Sequence, residues 1–245
     1  MYKILSGMLA FSILLVITVL SFFPASSFSL FENQAERLMM NMKSQTLNQG
    51  RVVNIEAELY YDAFAGRLVT RYTQPAGQVM ITNEKGELSF YNEKENTVSF
   101  SQGEEFSTQT NLIHYFLQGK IQDLGLSDFG FQLMSTEIEN NQVITEWFPP
   151  VNLFAIFNRI KIVHENFLPI YVAYYDAQEN LAKRVYYSDY QNLGEVFLPA
   201  LVTEINYFGN DSVVGRIIFS DIKTDFQARS PWFGFQIPED AAIKR

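Results

Sequence analysis

The sequence predicts a mainly β domain: one strongly curled antiparallel sheet of about eleven strands, preceded by an amphipathic helix and interrupted once by a helical patch. Three observations lead there. Apolar and polar residues alternate with the period of a strand over most of the chain. Clusters of Asn, Gly, Asp, Glu and Lys separate the alternating runs. Apolar residues make up 47 % of the chain, and 22 Phe, 13 Tyr and 2 Trp supply ample core. A sheet of this many strands is expected to curl rather than stay flat.

The first element is an address. Ile4 to Phe23 is a mostly apolar run with Lys3 as its only charged neighbour, Pro24 breaks it, and Ala25-Ser26-Ser27 offers the small residues of a cleavage site. Residues 1–27 therefore read as a secretory signal cut after Ser27. The run also approaches the length of an uncleaved anchor; the Pro and small residues favour cleavage. Either way the body, residues 28–245, is expected to be exported as a single domain, with the bacterial periplasm as its natural compartment. Removing residues 1–27 takes one Lys and no acid, which leaves the remainder one unit more negative than the −9 of the whole chain.

Leu30 to Met42 reads as the helix, because Phe31, Ala35, Leu38, Met39 and Met42 fall on one face of a helical period. Asn48-Gln49-Gly50 reads as its stop. Alternation then begins. Val53, Ile55, Ala57 and Leu59 mark one strand, Leu68, Thr70 and Tyr72 the next, and Gln78 to Thr82, Glu87 to Tyr91 and Thr97 to Phe100 continue a meander joined by polar turns. The helical patch follows: Ser107 or Thr108 can cap it, Leu112, Ile113, Tyr115, Phe116 and Leu117 form its body, and Gly119 ends it. Strands resume at Phe129 to Ile138 and Gln142 to Phe148. Pro149-Pro150 forces an extended break. Leu153, Phe154, Ile156 and Phe157 form an apolar stretch without a clear period, a candidate rim loop. In the last third, Phe167-Leu168-Pro169 recurs as Phe197-Leu198-Pro199, and Tyr187-Ser188-Asp189 as Phe219-Ser220-Asp221. Two consecutive hairpins of similar build explain this.

Composition excludes several chemistries. No cysteine means no disulfide, no thiol nucleophile and no lipidated N-terminal Cys. Two histidines, His114 and His164, lie far apart in sequence, so no metal is expected. With 18 Lys and Arg against 27 Asp and Glu, nucleic acid is not an expected partner. Nucleophile-elbow, zincin, P-loop and dinucleotide patterns are missing. Glu104-Glu105 reads as a solvated pair, each histidine as a hydrogen-bonded structural residue, and Asn210-Asp211-Ser212 as a turn rather than a glycan acceptor. Neither an enzyme nor a cofactor is expected. What remains is apolar surface: a curled sheet has a concave face, and helical segments lying across it either enclose an apolar cavity or close an ordinary core.

Several segments carry a resemblance. These are Leu68-Val69-Thr70-Arg71-Tyr72-Thr73-Gln74-Pro75, then Val79-Met80-Ile81-Thr82, Gly86 and Leu88-Ser89-Phe90-Tyr91-Asn92, the patch at Thr110-Asn111-Leu112-Ile113, and the ending Phe233-Gly234-Phe235-Gln236-Ile237-Pro238. In order and spacing the chain resembles the LolA-type outer-membrane lipoprotein carriers over about residues 30 to 240. The resemblance implies an unclosed, strongly curved antiparallel β-barrel with an N-terminal helix and a helical plug over an apolar cavity. It also implies a monomeric periplasmic carrier that binds the acyl chains of lipoproteins, or another lipid, and moves them towards the outer membrane, with transient inner- and outer-membrane protein partners. The residues expected to line cavity and lid are Leu38, Met39 and Met42 on the first helix, Leu112, Ile113 and Phe116 on the plug, and Leu68, Tyr72, Val79, Ile81, Leu88 and Phe90 on strands. One departure stands out. The family's Arg-Pro pair, tied to lid closure and transfer, would fall near Phe64, and no Arg-Pro occurs anywhere in the chain; Arg67 and Arg71 are the nearest arginines. The alternative is therefore a lipid-sensing or protein-binding regulatory module of the same fold without transport.

Overall fold

A tight turn decides the fate of the N-terminal segment. Gln49 and Gly50 take φ of 47° and 76°, the backbone of a two-residue hairpin turn, so that Arg37–Asn48 (β1) folds back on Arg51–Asp62 (β2) in register from Arg37↔Asp62 to Asn48↔Arg51. In this computed structural model the residues described are 36–83, 87–102, 114–194 and 196–244. The helix expected over Leu30–Met42 is thus corrected: from Arg37 onward the segment is a strand, and residues 30–35 lie outside the described residues. Leu38 and Met42 fit both periods and Met39 only the helical one; Leu38, Met40 and Ser44 are the buried positions, at 1, 2 and 4 % exposure, which is the spacing of a strand.

The remaining strands are Arg67–Gln74 (β3), Ala76–Asn83 (β4), Glu87–Asn92 (β5), Thr97–Gln102 (β6), Gln132–Glu139 (β7), Gln142–Phe148 (β8), Phe157–Glu165 (β9), Leu168–Asp176 (β10), Leu181–Asn192 (β11), Phe197–Phe208 (β12), Asp211–Thr224 (β13) and Ala242–Ile243 (β14). They form one 14-stranded sheet in the order β14-β6-β5-β4-β3-β2-β1-β13-β12-β11-β10-β9-β8-β7. Neighbours are antiparallel except β14, which runs parallel to β6. The strands beyond the expected eleven are β1, β9 and β14. The sheet is open, with β14 and β7 as its ends. The two similar hairpins are β10–β11 and β12–β13; Tyr187 and Phe219 point into the same core, and Asp189 and Asp221 both take positive φ, 56° and 52°.

Both faces of the sheet are covered in part, by different segments. On the inner face one apolar cluster runs from Leu68 on β3 to Trp147 on β8, and Phe116, Leu117, Leu124, Leu126 and Phe131 sit within it. The sheet curls around this segment, 114–131. On the outer face of β1 to β6, Tyr60, Val69, Val79, Tyr91 and Val98 are buried under Ala228 and Phe233 of the chain that follows β13. Phe233 meets Tyr60 edge-on at 5.6 Å, and Phe235 lies 6.1 Å from Tyr91. Arg71 lies over the Trp232 ring at 4.7 Å while its Nη1 donates to Glu58 at 3.0 Å, and Arg67 donates to the Phe235 carbonyl.

The strand assignment of β1 has a direct test. A helix would put Met40 off the apolar face. In the strand Met40 is 2 % exposed and Asn41 is exposed. Met40→Ala is expected to cost about 2–5 kcal/mol in urea denaturation, and Asn41→Ala less than about 0.5 kcal/mol.

Candidate functional site

The inner face is the candidate site, and its geometry follows from strand register. Leu38, Met40 and Met42 on β1 stand opposite Tyr61, Leu59 and Ala57 on β2. Tyr61, Leu59 and Ala57 in turn face Leu68, Thr70 and Tyr72 on β3. Leu68 faces Thr82 and Thr70 faces Met80 on β4, and those two face Leu88 and Phe90 on β5. Tyr72 and Phe90 stand 6.2 Å apart, ring to ring. The hydroxyls of Thr70 and Thr82 are buried on this face with no hydrogen-bond partner among the described residues. Their neighbours on the sheet are apolar, so each is a polar group held in an apolar lining.

Segment 114–131 covers the face. It begins as a helical turn at His114–Leu117, all four residues buried, and closes with a 3-10 turn at Leu126–Phe129. Phe116 is 1 % exposed and packs against Tyr187 at 5.1 Å. The rest of the expected plug, Leu112 and Ile113 included, lies outside the described residues. Local bonds fix the cover's shape. Asp123 accepts from the backbone N–H of Gly125 and Ser127 at 3.0 and 3.1 Å, and Lys120 pairs with Asp128 at 2.5 Å. Gly125 has φ +78°, and a Cβ there would come within 2.4 Å of the Tyr115 ring, so the turn admits only glycine at that point. His164 on β9 donates from Nε2 to the carbonyl of Ile121 at 3.0 Å and ties the cover to the sheet.

His114 sits where the cover meets β2. Its ring lies edge-on to Tyr61 at 5.8 Å, its Nε2 is 2.8 Å from Gln118 Nε2, and its Nδ1 is buried without a partner among the described residues. Burial, and then the nearby Lys120 charge, push its pKa from 6.5 to about 4. Further along the face, Lys183 and Glu204 form an ion pair at 3.2 Å with side chains 11 and 5 % exposed, and Lys183 lies 5.7 Å from the Tyr174 ring. Burial, followed by the neighbouring Tyr174, Glu204 and Tyr190, raises the Tyr187 hydroxyl well above its ordinary pKa. Among the described residues neither histidine bonds to a hydroxyl or a carboxylate. Among the described residues no three His, Asp or Glu side chains converge as metal ligands would.

The structure brings most of the sequence-derived residues together. Leu38, Met42, Leu68, Tyr72 and Phe116 share the inner core, and Leu88 and Phe90 continue that face by register. Met39, Val79 and Ile81 do not belong there: they pack on the outer face with Phe233 and Trp232. In the run Val79-Met80-Ile81 all three residues are apolar, so the choice of face rests on register alone; Val79 pairs with Arg71 and Ile81 with Val69, which leaves Met80 as the inner residue. Sequence reasoning also passed over Tyr61, whose signal was the alternation through β2. A cleft of about 460 Å³ elsewhere is lined by Glu36, Arg37, Asp62, Phe64, Asp225 and Phe226 and is charged rather than apolar.

No family model and no curated protein matches the chain. Solved structures do. A DUF1329 family protein from Desulfovibrio piger is similar with a TM-score of 0.59 at 14 % identity, over 82 % of this chain and 90 % of that one. A LolA superfamily protein from Nitrosomonas europaea gives 0.55 at 12 % identity, over 79 % and 87 %. The fold is LolA-like. A candidate outer-membrane lipoprotein-sorting protein domain from Vibrio parahaemolyticus gives 0.56 at 14 % identity, over 78 % and 86 %. Identities this low establish the shared fold and leave function to the site.

The depressed pKa of His114 fixes a pH dependence. The unfolded chain binds the proton more tightly than the native one, so stability is present above pH 6.5 and is lost as pH falls towards about 4. Thermal melts from pH 7 to pH 4.5 are expected to fall more steeply for the wild type than for His114→Gln, which keeps a hydrogen-bonding side chain but no titrating group.

Proposed function

We propose that the protein is an exported periplasmic carrier, made with a cleaved signal over residues 1–27, whose domain over residues 28–245 binds the acyl chains of a lipoprotein or another lipid on its inner face and moves them towards the outer membrane. The observation that carries this reading is the inner face itself. An open sheet presents a broad apolar surface to a separate covering segment rather than to a second sheet, and two orphaned hydroxyls, Thr70 and Thr82, lie within that surface. An apolar lining needs no charged site to hold a chain, since each CH₂ withdrawn from water contributes about 0.8 kcal/mol. Release requires a cover that has two states of different affinity, and segment 114–131 is short and locally bonded enough to move as a unit. The LolA-like fold supports the same reading.

A second reading has one observation in its favour. Arg67 and Arg71, the arginines nearest to the missing Arg-Pro pair, are both engaged on the outer face by the segment after β13. A protein without an arginine at the cover suits a lipid-sensing or protein-binding regulatory module that does not hand over cargo.

Native mass spectrometry of the protein as isolated from cells is expected to show a bound acyl species, and Phe90→Glu, on the half-buried inner surface of β5, to reduce its occupancy by about tenfold. Depletion in the host is expected to leave lipoproteins in the inner membrane. Correct lipoprotein sorting after depletion, with one membrane signalling protein co-purifying, would instead support the regulatory module.

A further inference from the structure

An exposed apolar surface lies away from the inner face. The loop of residues 149–156, between β8 and β9, carries Val151, Phe154 and Ile156 at 81, 43 and 56 % exposure, and Phe148 at the end of β8 is 43 % exposed. Phe148 and Phe154 meet edge to face at 5.2 Å. The edge strand β7 runs beside this corner: Gln132 pairs with Phe148, while Leu133, 52 % exposed, pairs with Trp147 and so lies on the opposite face of the sheet from Phe148. The loop is built to hold this shape. Leu153 packs inward against the core, its N–H donates to Pro150 at 2.8 Å, and the N–H of Ile156 donates to Leu153 at 2.9 Å. With Leu153 turned in, its neighbours turn out.

The loop itself carries no charge, and the charges next to it on its flanking strands, Glu146 and Arg159, pair with each other at 3.5 Å. No Asp, Glu, Lys or Arg occurs from Trp147 to Asn158 or from Phe129 to Thr136, in a chain whose net charge is −9. An anionic membrane would call for Lys and Arg around such a patch. Addition of a foreign strand to β7 is opposed by Glu137 and Glu139 on its second half. Exposed aromatic and aliphatic side chains without charge match the headgroup boundary of a neutral bilayer. We propose that this corner docks on a zwitterionic lipid surface, with Val151, Ile156 and the Phe148–Phe154 pair entering the headgroup layer and the acidic remainder of the protein staying in water. Docking does not depend on whether the inner face carries acyl chains, and the two are measured separately.

The test uses the protein as isolated from cells, its N-terminus defined by mass spectrometry, and vesicles of phosphatidylcholine. Phe154→Trp is expected to shift its emission to the blue on adding vesicles and to be quenched by brominated acyl chains. Val151→Asp with Ile156→Asp is expected to lower the vesicle partition coefficient by about tenfold or more. Phe64→Asp, on the fully exposed β2–β3 turn at the opposite end of the strands, is expected to leave it unchanged. All substituted positions are exposed, and unchanged melting curves confirm folding. Equal partition of the two aspartate variants, an unquenched tryptophan, or binding only to vesicles containing phosphatidylglycerol would overturn the proposal.

Discussion

The pairing of β1 with β13 is the contact on which the rest of the sheet depends. It joins the N-terminal strands β2 to β6 to the C-terminal run β12 to β7. β1 contributes both of its edges, twelve residues paired with β2 and most of them again with β13. Because successive side chains point to opposite faces, this double pairing also fixes which residues line the inner core and which meet the outer cover. Asp225, just past β13, accepts from the backbone N–H of Glu36 and Arg37, at 2.7 and 3.3 Å, and seals the same junction at its end.

Much of the sheet was legible from alternation and turns. The meander from β2 to β6, the β7–β8 hairpin and the repeated hairpins of the last third were each marked by polar turns or by recurring Phe-Leu-Pro and aromatic-Ser-Asp triplets. The N-terminal strand was not legible, for a local reason. Leu38 and Met42 satisfy a helical stripe as well as a strand, and the choice was made by partners far away in sequence, which no local window contains. The same limit separates Leu68, Tyr72, Leu88 and Phe90, which lie on the inner face by register, from Val79 and Ile81, which lie on the outer. An antiparallel sheet wet on one side would leave a polar marker at every second position. Here the segment after β13 lies on the outer side of β1 to β6, so β4 is apolar on both faces and its alternation disappears.

That outer cover also redefines the arginines. In sequence, Arg67 and Arg71 are two cations beside an expected cavity. In the fold they face away from it, one bonded to a carbonyl of the terminal segment, the other between Glu58 and the Trp232 ring. Charge stacked on an aromatic ring and paired with a carboxylate is a structural use of arginine. It holds in place a segment that has little regular secondary structure to hold itself. The inner cover relies on different means: an Asx-type turn at Asp123, a glycine where the Tyr115 ring leaves no room, and His114, whose burial disfavours its charged form.

The central place of β1 has a consequence for how the molecule comes into being. β1 is made long before β13, the strand that completes its second edge. Until residues 211–224 exist, β1 can do no more than form a hairpin with β2, and the outer cover that follows β13 has not been synthesised at all. Pairing so distant in sequence is slow, since the intervening chain must be brought into order first. The polypeptide therefore stays uncommitted through most of its synthesis. A chain shortened from its C-terminal end before Asp211 keeps an open β1 edge and a naked apolar sheet surface, the combination that invites association with other chains.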